Sequence, residues 1–231
     1  MVPALAVVAV MTAALALRAL LPRLAHRAFV AGEHAAARRW YRVVAWTTVW
    51  PRRRAAARVS IAGAYLAEGR WADGAAATDR VDGDALDPGT RAGWLNNRAY
   101  AALRLGARDA AAERALAQAR EALRLRPDVP AILHTEALAL LASGRAEDAI
   151  RALEALWEHG EPAPRLESER AADLARAWAA RGELAYAADY ARRARRAAPD
   201  APWLPGHDVD AAAGAPAAAV IDPGLVDEPV G

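Results

Sequence analysis

The stretches 99-AYAALRLGARDAA-111 and 137-ALALLASGRAEDA-149 decide the fold. Each places a small residue, Ala99 or Ala137, seven positions before a glycine, Gly106 or Gly144, and a second small residue, Ala111 or Ala149, five positions after it. Working outward, the same frame holds at Gly32, Gly69 and Gly182, so that five glycines recur at spacings of 37, 37, 38 and 38 residues. Ala25, Ala62 and Ala175 complete the series seven before the glycine, and Ala37, Gly74 and Ala187 the series five after it. Four before it stand Ala28, Tyr65, Ala102, Leu140 and Trp178. A fixed period of this size marks a stacked-repeat protein. The unit is a helical hairpin: glycine ends the first helix in the left-handed conformation, and small residues let the paired helix pack closely.

This pattern resembles the tetratricopeptide family. The resemblance rests on Ala99, Leu103, Leu105-Gly106, Ala111, Ala122 and Pro127, on Leu133, Ala137, Leu140, Gly144, Ala149 and Leu153, and on Ala175, Trp178, Gly182, Ala187, Ala194 and Pro199. It covers Arg18 to Pro199 and is similar to bacterial membrane-anchored members. The family period is about 34 residues, so these units are longer, and the third reads as carrying about one extra helical turn between Ala111 and Pro127. Armadillo and HEAT repeats run longer still and lack this spacing. The fold implied is all-α: a right-handed superhelical array of about five such hairpins of period 37–38, preceded by an N-terminal apolar helix.

The breakers predict hairpins 20–31 with 34–48, 55–68 with 71–80, 90–105 with 108–125, 129–143 with 146–158 and 165–181 with 184–198. Pro51, Pro88, Pro127, Pro162, Pro164 and Pro199 fall between them. The second unit breaks off near Arg80 into the turn-rich loop Val81–Gly89. The domains expected are an anchor at 1–21, repeats at 22–199 and a disordered acidic tail at 200–231. Val220-Ile221 and Leu225-Val226 are the tail's apolar pairs, so it reads as a plain appendage or a short docking peptide.

Residues 2–17 carry no charge, and counting on to Leu21 with Arg18 snorkelling gives a helix of about 30 Å, enough to cross a bilayer. The basic residues Arg18, Arg23 and Arg27 follow the apolar run, unlike those of a secretory signal, which precede it. The expected placement is therefore a single-pass protein of the cytoplasmic membrane, N-terminus out and repeats in the cytoplasm. A buried or partner-docked alanine-rich helix is the alternative, since Pro3 and Thr12 dilute the run. From Arg18 to Arg58 there are ten Arg against one acid, Glu33, whereas residues 59–199 are nearly balanced and residues 200–231 carry six acids and no base. A basic block beside an apolar segment suits retention on the cytoplasmic side and attraction to anionic lipid. No nucleic-acid recognition motif accompanies it, so nucleic acid is not an expected partner.

In that block the helix 34–48 carries two apolar stripes. Ala37, Tyr41 and Val44 belong to the hairpin core by repeat offset. Trp40, Val43, Trp46 and Trp50 form a second stripe followed by Arg52, Arg53 and Arg54, a combination that suits headgroup depth at a membrane, a partner surface, or packing on an adjacent element.

Several chemistries are excluded. All 30 basic residues are Arg, as in a GC-rich genome, which removes the P-loop lysine and Schiff-base chemistry. Zero Cys removes thiol catalysis and thiolate metal sites. His134 and His159 belong to no H-E-x-x-H pair, and Ser60, Ser143 and Ser168 have no G-x-S-x-G context. Asp79, Asp82, Asp84 and Asp87 resemble a calcium loop, but its closing Glu would be Gly93. No enzyme, cofactor, metal or small-molecule substrate is expected.

In the resembled family a concave groove, lined by the first helix of each hairpin, holds partner peptides or helices. By offset its lining here is Asn96, Asn97, Tyr100, Arg104, His134, Glu169, Asp173 and Arg176, read either as a partner-binding set or as ordinary solvated surface. The family's carboxylate clamp does not transfer, because Val59, Gly63, Ala131 and Thr135 occupy its places and only Asn97 fits. The function expected is a membrane-anchored scaffold that recruits protein or peptide partners; the alternative is a peripheral subunit whose N-terminal helix docks into a partner.

Overall fold

The structure, a computed structural model, describes residues 20–156 and 164–204. Every regular element among them is helical: α1 (20–30), α2 (His34–Thr47), α3 (Pro51–Ala67), α4 (Trp71–Asp79), α5 (Pro88–Arg104), α6 (Asp109–Leu125), α7 (Pro130–Ala142), α8 (Ala146–Ala155), α9 (Pro164–Ala180) and α10 (Leu184–Ala197). The odd-numbered helices open the five hairpins and the even-numbered ones close them.

The five repeat glycines have φ of 79°, 78°, 90°, 76° and 82°, a region that admits glycine without strain. At Gly144 the Gly144 N–H donates to Leu141 O at 3.0 Å and the Arg145 N–H to Leu140 O at 2.9 Å. The pair is repeated at Gly182, where the N–H groups of Gly182 and Glu183 reach Ala179 O and Trp178 O at 2.9 and 3.0 Å, and it recurs at Gly32, Gly69 and Gly106. These are Schellman turns, which satisfy two carbonyls left over at the helix end.

Two boundaries differ from the sequence reading for local reasons. Pro51, Pro88, Pro130 and Pro164 are each the first residue of a helix, where the fixed φ of proline is already helical and its missing N–H has no intrahelical role. Hence α3 begins four residues before the expected Ala55, and Arg52, Arg53 and Arg54 lie in its first turn. In the third hairpin α6 starts at Asp109, which has a φ of 49°, one residue later relative to the glycine than in the other turns. The small residue packed in the core there is consequently Ala112, fully buried, and Ala111 is only half-buried.

The chain divides into two compact units, residues 1–101 with 121–127, and residues 102–120 with 128–231. In the first, α2 packs on α3 and α3 on α4 around Leu21, Ala25, Ala37, Val59, Ala62 and Leu66. Gly74 lets α4 approach so closely that a Cβ there would stand 2.3 Å from Leu66 Cδ2. Asp87 caps α5, accepting from the Thr90 N–H at 3.0 Å and the Thr90 hydroxyl at 2.7 Å; the backbone bond above all holds its carboxyl below the usual range. In the second unit Ala137, Ile150, Leu153, Leu174 and Ala177 form one cluster, flanked by Trp178 and Tyr190.

A second cluster in that unit joins Ala171, Ala172 and Ala194 to Ala201 and Leu204. The Trp203 indole N–H donates to Ser168 Oγ at 3.2 Å. The folded part therefore runs past the expected boundary at Pro199, as far as Leu204. The rest of the expected tail lies outside the described residues, as does the N-terminal apolar helix save for Leu20 and Leu21, which belong to α1. Leu21 is buried, so the anchor expected at 1–21 overlaps the repeat core by that residue. Among the described residues no helix is long and apolar enough to cross a membrane.

Candidate functional site

On α9, Glu169, Asp173 and Arg176 stand at positions i, i+4 and i+7, a spacing that puts them on one helix face. His134 of α7 and Arg104, the last residue of α5, meet that face within the second unit. The Arg104 guanidinium reaches both oxygens of Asp173, Nη1 to Oδ1 at 3.2 Å and Nη2 to Oδ2 at 2.9 Å, and donates from Nη2 to Glu169 Oε1 at 2.5 Å. His134 Nε2 lies 2.9 Å from Asp173 Oδ2, and Arg176 donates to Asp173 Oδ1. The Asp173 side chain is 0% exposed and that of Arg104 4%. Burial alone would push the Asp173 carboxyl up; the guanidiniums of Arg104 and Arg176, with His134, more than offset it and hold the group far below the usual carboxylate range.

Five of the eight expected groove residues thus converge, though not as solvated lining. Arg104, Glu169 and Asp173 are a buried floor, and Arg176, 49% exposed, is the rim. Donor atoms of His134, Glu169 and Asp173 lie within 4.8 Å of one another, a disposition that could hold a metal ion. A divalent ion would, however, have to share both carboxylates with the Arg104 guanidinium already seated on them, which like-charge repulsion disfavours.

The other three lie in the first unit. Asn97 donates from Nδ2 to Val59 O at 3.1 Å and so ties α5 to α3. Tyr100 packs edge-on against Trp71, ring centroids 5.7 Å apart, and Asn96 is half-buried. Sequence reasoning missed Arg170, buried on α9, which donates to Leu153 O at 3.0 Å and pairs with Glu167 at 2.9 Å; Glu167 also takes Arg193 at 2.6 Å. The i, i+3 spacing of Glu167 and Arg170 was its only advance signal.

A second candidate surface lies at the α2–α3 corner of the first unit. Trp46 is 86% exposed and Trp50 62%, with Trp40 and Val43 exposed beside them and Val49 added to the expected stripe. Arg54 Nη2 donates to Thr48 O at 3.0 Å, closing the corner, and Arg52 and Arg53 are exposed. A cleft of about 670 Å³ opens beside Trp50, lined by Leu21, Pro22, Tyr41, Val44 and Arg53 among others.

No family model matches the chain, and no curated protein matches it. Solved structures do. TTC0263, a thermophilic TPR protein of Thermus thermophilus, is 18% identical, the match covering 79% of this chain and 92% of that one with a TM-score of 0.57. The putative kinesin light chain TPR-like repeats of Podosopora anserina are 20% identical over 78% and 93% with a TM-score of 0.49, and MamA is 15% identical over 78% and 91% with a TM-score of 0.45. At such identity the likeness to TTC0263 shows the fold, and the fold is that of tetratricopeptide repeats.

Proposed function

We propose that this tetratricopeptide-fold chain is a non-enzymatic scaffold that binds a protein or peptide partner along its first helices, held at the cytoplasmic face of a membrane by residues 1–21. The carrying observation is the convergence of α5, α7 and α9 side chains in the second unit, where a rigid floor of Arg104, Glu169 and Asp173 presents Arg176 to solvent. A buried floor in which the Arg104 guanidinium is held by both carboxylates fixes the rim in place, so a partner carboxylate or backbone carbonyl meets a donor whose orientation is already set. A second reading, a peripheral subunit docked through its N-terminal helix, draws on Leu21, the last residue of the expected anchor, which is buried in the repeat core.

Photo-crosslinking tests the scaffold. A benzophenone amino acid in place of Ala180, exposed one turn beyond Arg176 on α9, should capture one discrete partner in cells, while the same probe in place of Arg192, exposed on α10, should not. Equal capture at both positions, or none at Ala180, overturns the groove assignment. Alkaline carbonate extraction separates the attachments: an anchored chain stays in the pellet, and release supports the docked subunit.

A further inference from the structure

We propose that the α2–α3 corner docks on an anionic bilayer surface, with the indoles of Trp46 and Trp50 at headgroup depth and Arg52 and Arg53 on lipid phosphates. The exposed indoles among the described residues, those of Trp40, Trp46 and Trp50, all belong to α2 or to the residue that precedes α3. Indole is suited to such a boundary because its ring is apolar and its N–H needs a polar partner.

The charge around the corner has one sign. From His34 to Ala67 the sequence holds seven Arg and no acid. Arg38 is drawn to Glu68 and Arg42 donates to Tyr65 Oη at 2.7 Å, whereas Arg52 and Arg53 have no carboxylate partner among the described residues. Three consecutive Arg in the first turn of α3 oppose the helix dipole, whose positive end lies there, and that first turn holds no acid. Of the three, Arg54 is used within the fold, on Thr48 O, whereas Arg52 and Arg53 stand exposed at the unfavourable helix end. A phosphate-bearing surface reverses the sign of the interaction, since it attracts the helix end and the guanidiniums together.

Position in the chain points the same way. The uncharged stretch 2–17 precedes α1 in the sequence, and Leu21 and Pro22 of α1 line the cleft beside Trp50 and Arg53, so the corner adjoins the first described turn of the chain. The docking deepens the membrane location proposed above but can stand or fall separately from the anchor.

The test uses the full chain reconstituted with phosphatidylcholine vesicles, with and without phosphatidylglycerol, and lipids brominated near the headgroup as quenchers of tryptophan fluorescence. In anionic vesicles a quenched component should appear, and Trp46→Phe with Trp50→Phe should remove most of it; helical circular dichroism should be unchanged because both side chains are exposed. Arg52→Gln with Arg53→Gln should reduce the quenching roughly tenfold or more at low salt. Equal quenching in the two lipids, or quenching untouched by the Trp replacements, overturns the proposal. A carbonate-extractable chain that is still quenched sinks the anchor and keeps the docking; a carbonate-resistant chain that is unquenched does the reverse.

Discussion

Replacing Arg104 by Met retains most of the side-chain volume and removes the guanidinium. At least three bonds go with it, two to Asp173 at 3.2 and 2.9 Å and one to Glu169 at 2.5 Å. Asp173 is wholly buried and cannot recover hydration; Arg176, half in solvent, and His134 are what remain to it. Breaking a buried pair by removing one partner costs about 3–5 kcal/mol, and the retained contact to Arg176 argues for the lower end. At about 1.4 kcal/mol per factor of ten, about 3 kcal/mol lowers the hydrogen-exchange protection of α9 amides by more than a hundredfold. Mass-spectrometric exchange at neutral pH should show that loss in α9 and leave α2 much less affected, since repeats couple through their neighbours. The pH dependence has a definite sign. Because the folded Asp173 carboxyl titrates below its unfolded value of about 3.9, its stabilisation is present above that pH and is lost as pH falls beneath it. The penalty of Arg104→Met should therefore shrink in acid, where a protonated Asp173 needs no cation. Arg104→Met with Asp173→Asn should exchange more slowly than Arg104→Met alone, by about twofold to a hundredfold, since paired residues couple by about 0.5–3 kcal/mol. Protection in α9 within about threefold of the parent, or a double variant no better than the single, refutes the account of the cluster.

Gly144→Val, at a φ of 76° with nothing within 4 Å of its Cβ, should cost about 1–3 kcal/mol through the backbone alone, and a thermal melt matching the parent would contradict the turn assignment. Gly74→Ala should cost about the same by overpacking Leu66, so Leu66→Val should restore part of the Tm of Gly74→Ala and none of that of Gly144→Val. Truncation after Asp200 removes Ala201, Trp203 and Leu204 from the face of α9 and should lower the Tm, with buried Leu204 alone worth about 1.5–3 kcal/mol; truncation after Leu204 should leave the melt unchanged.

The hairpins were legible because their turns depend on one residue type at one position, and Gly32 through Gly182 announce them whatever surrounds them. The shift from Ala111 to Ala112 was not, since it follows from Asp109 taking a left-handed φ that its side chain does not advertise. Pro51 read as a break is physically the start of α3, because proline stops one helix and opens the next with equal ease. At the candidate site the offsets brought Arg104, His134, Glu169, Asp173 and Arg176 onto one list, and the structure joins them. What periodicity could not convey is burial. Arg104 and Asp173 stand 69 residues apart, and nothing local shows that they neutralise each other rather than face water.

The two hydrogen bonds of each turn are taken by carbonyl oxygens, and the acceptor four before the glycine belongs in turn to Ala28, Tyr65, Ala102, Leu140 and Trp178. Closure of the hairpin makes no demand on that side chain. Over evolutionary time the position is thus free to drift between a methyl group and an indole without reopening the turn, and one such indole, Trp178, stacks on Tyr186 of the helix beyond at 4.8 Å. An architecture whose joints are written in backbone can diverge until little of its sequence is shared with any relative and still fold.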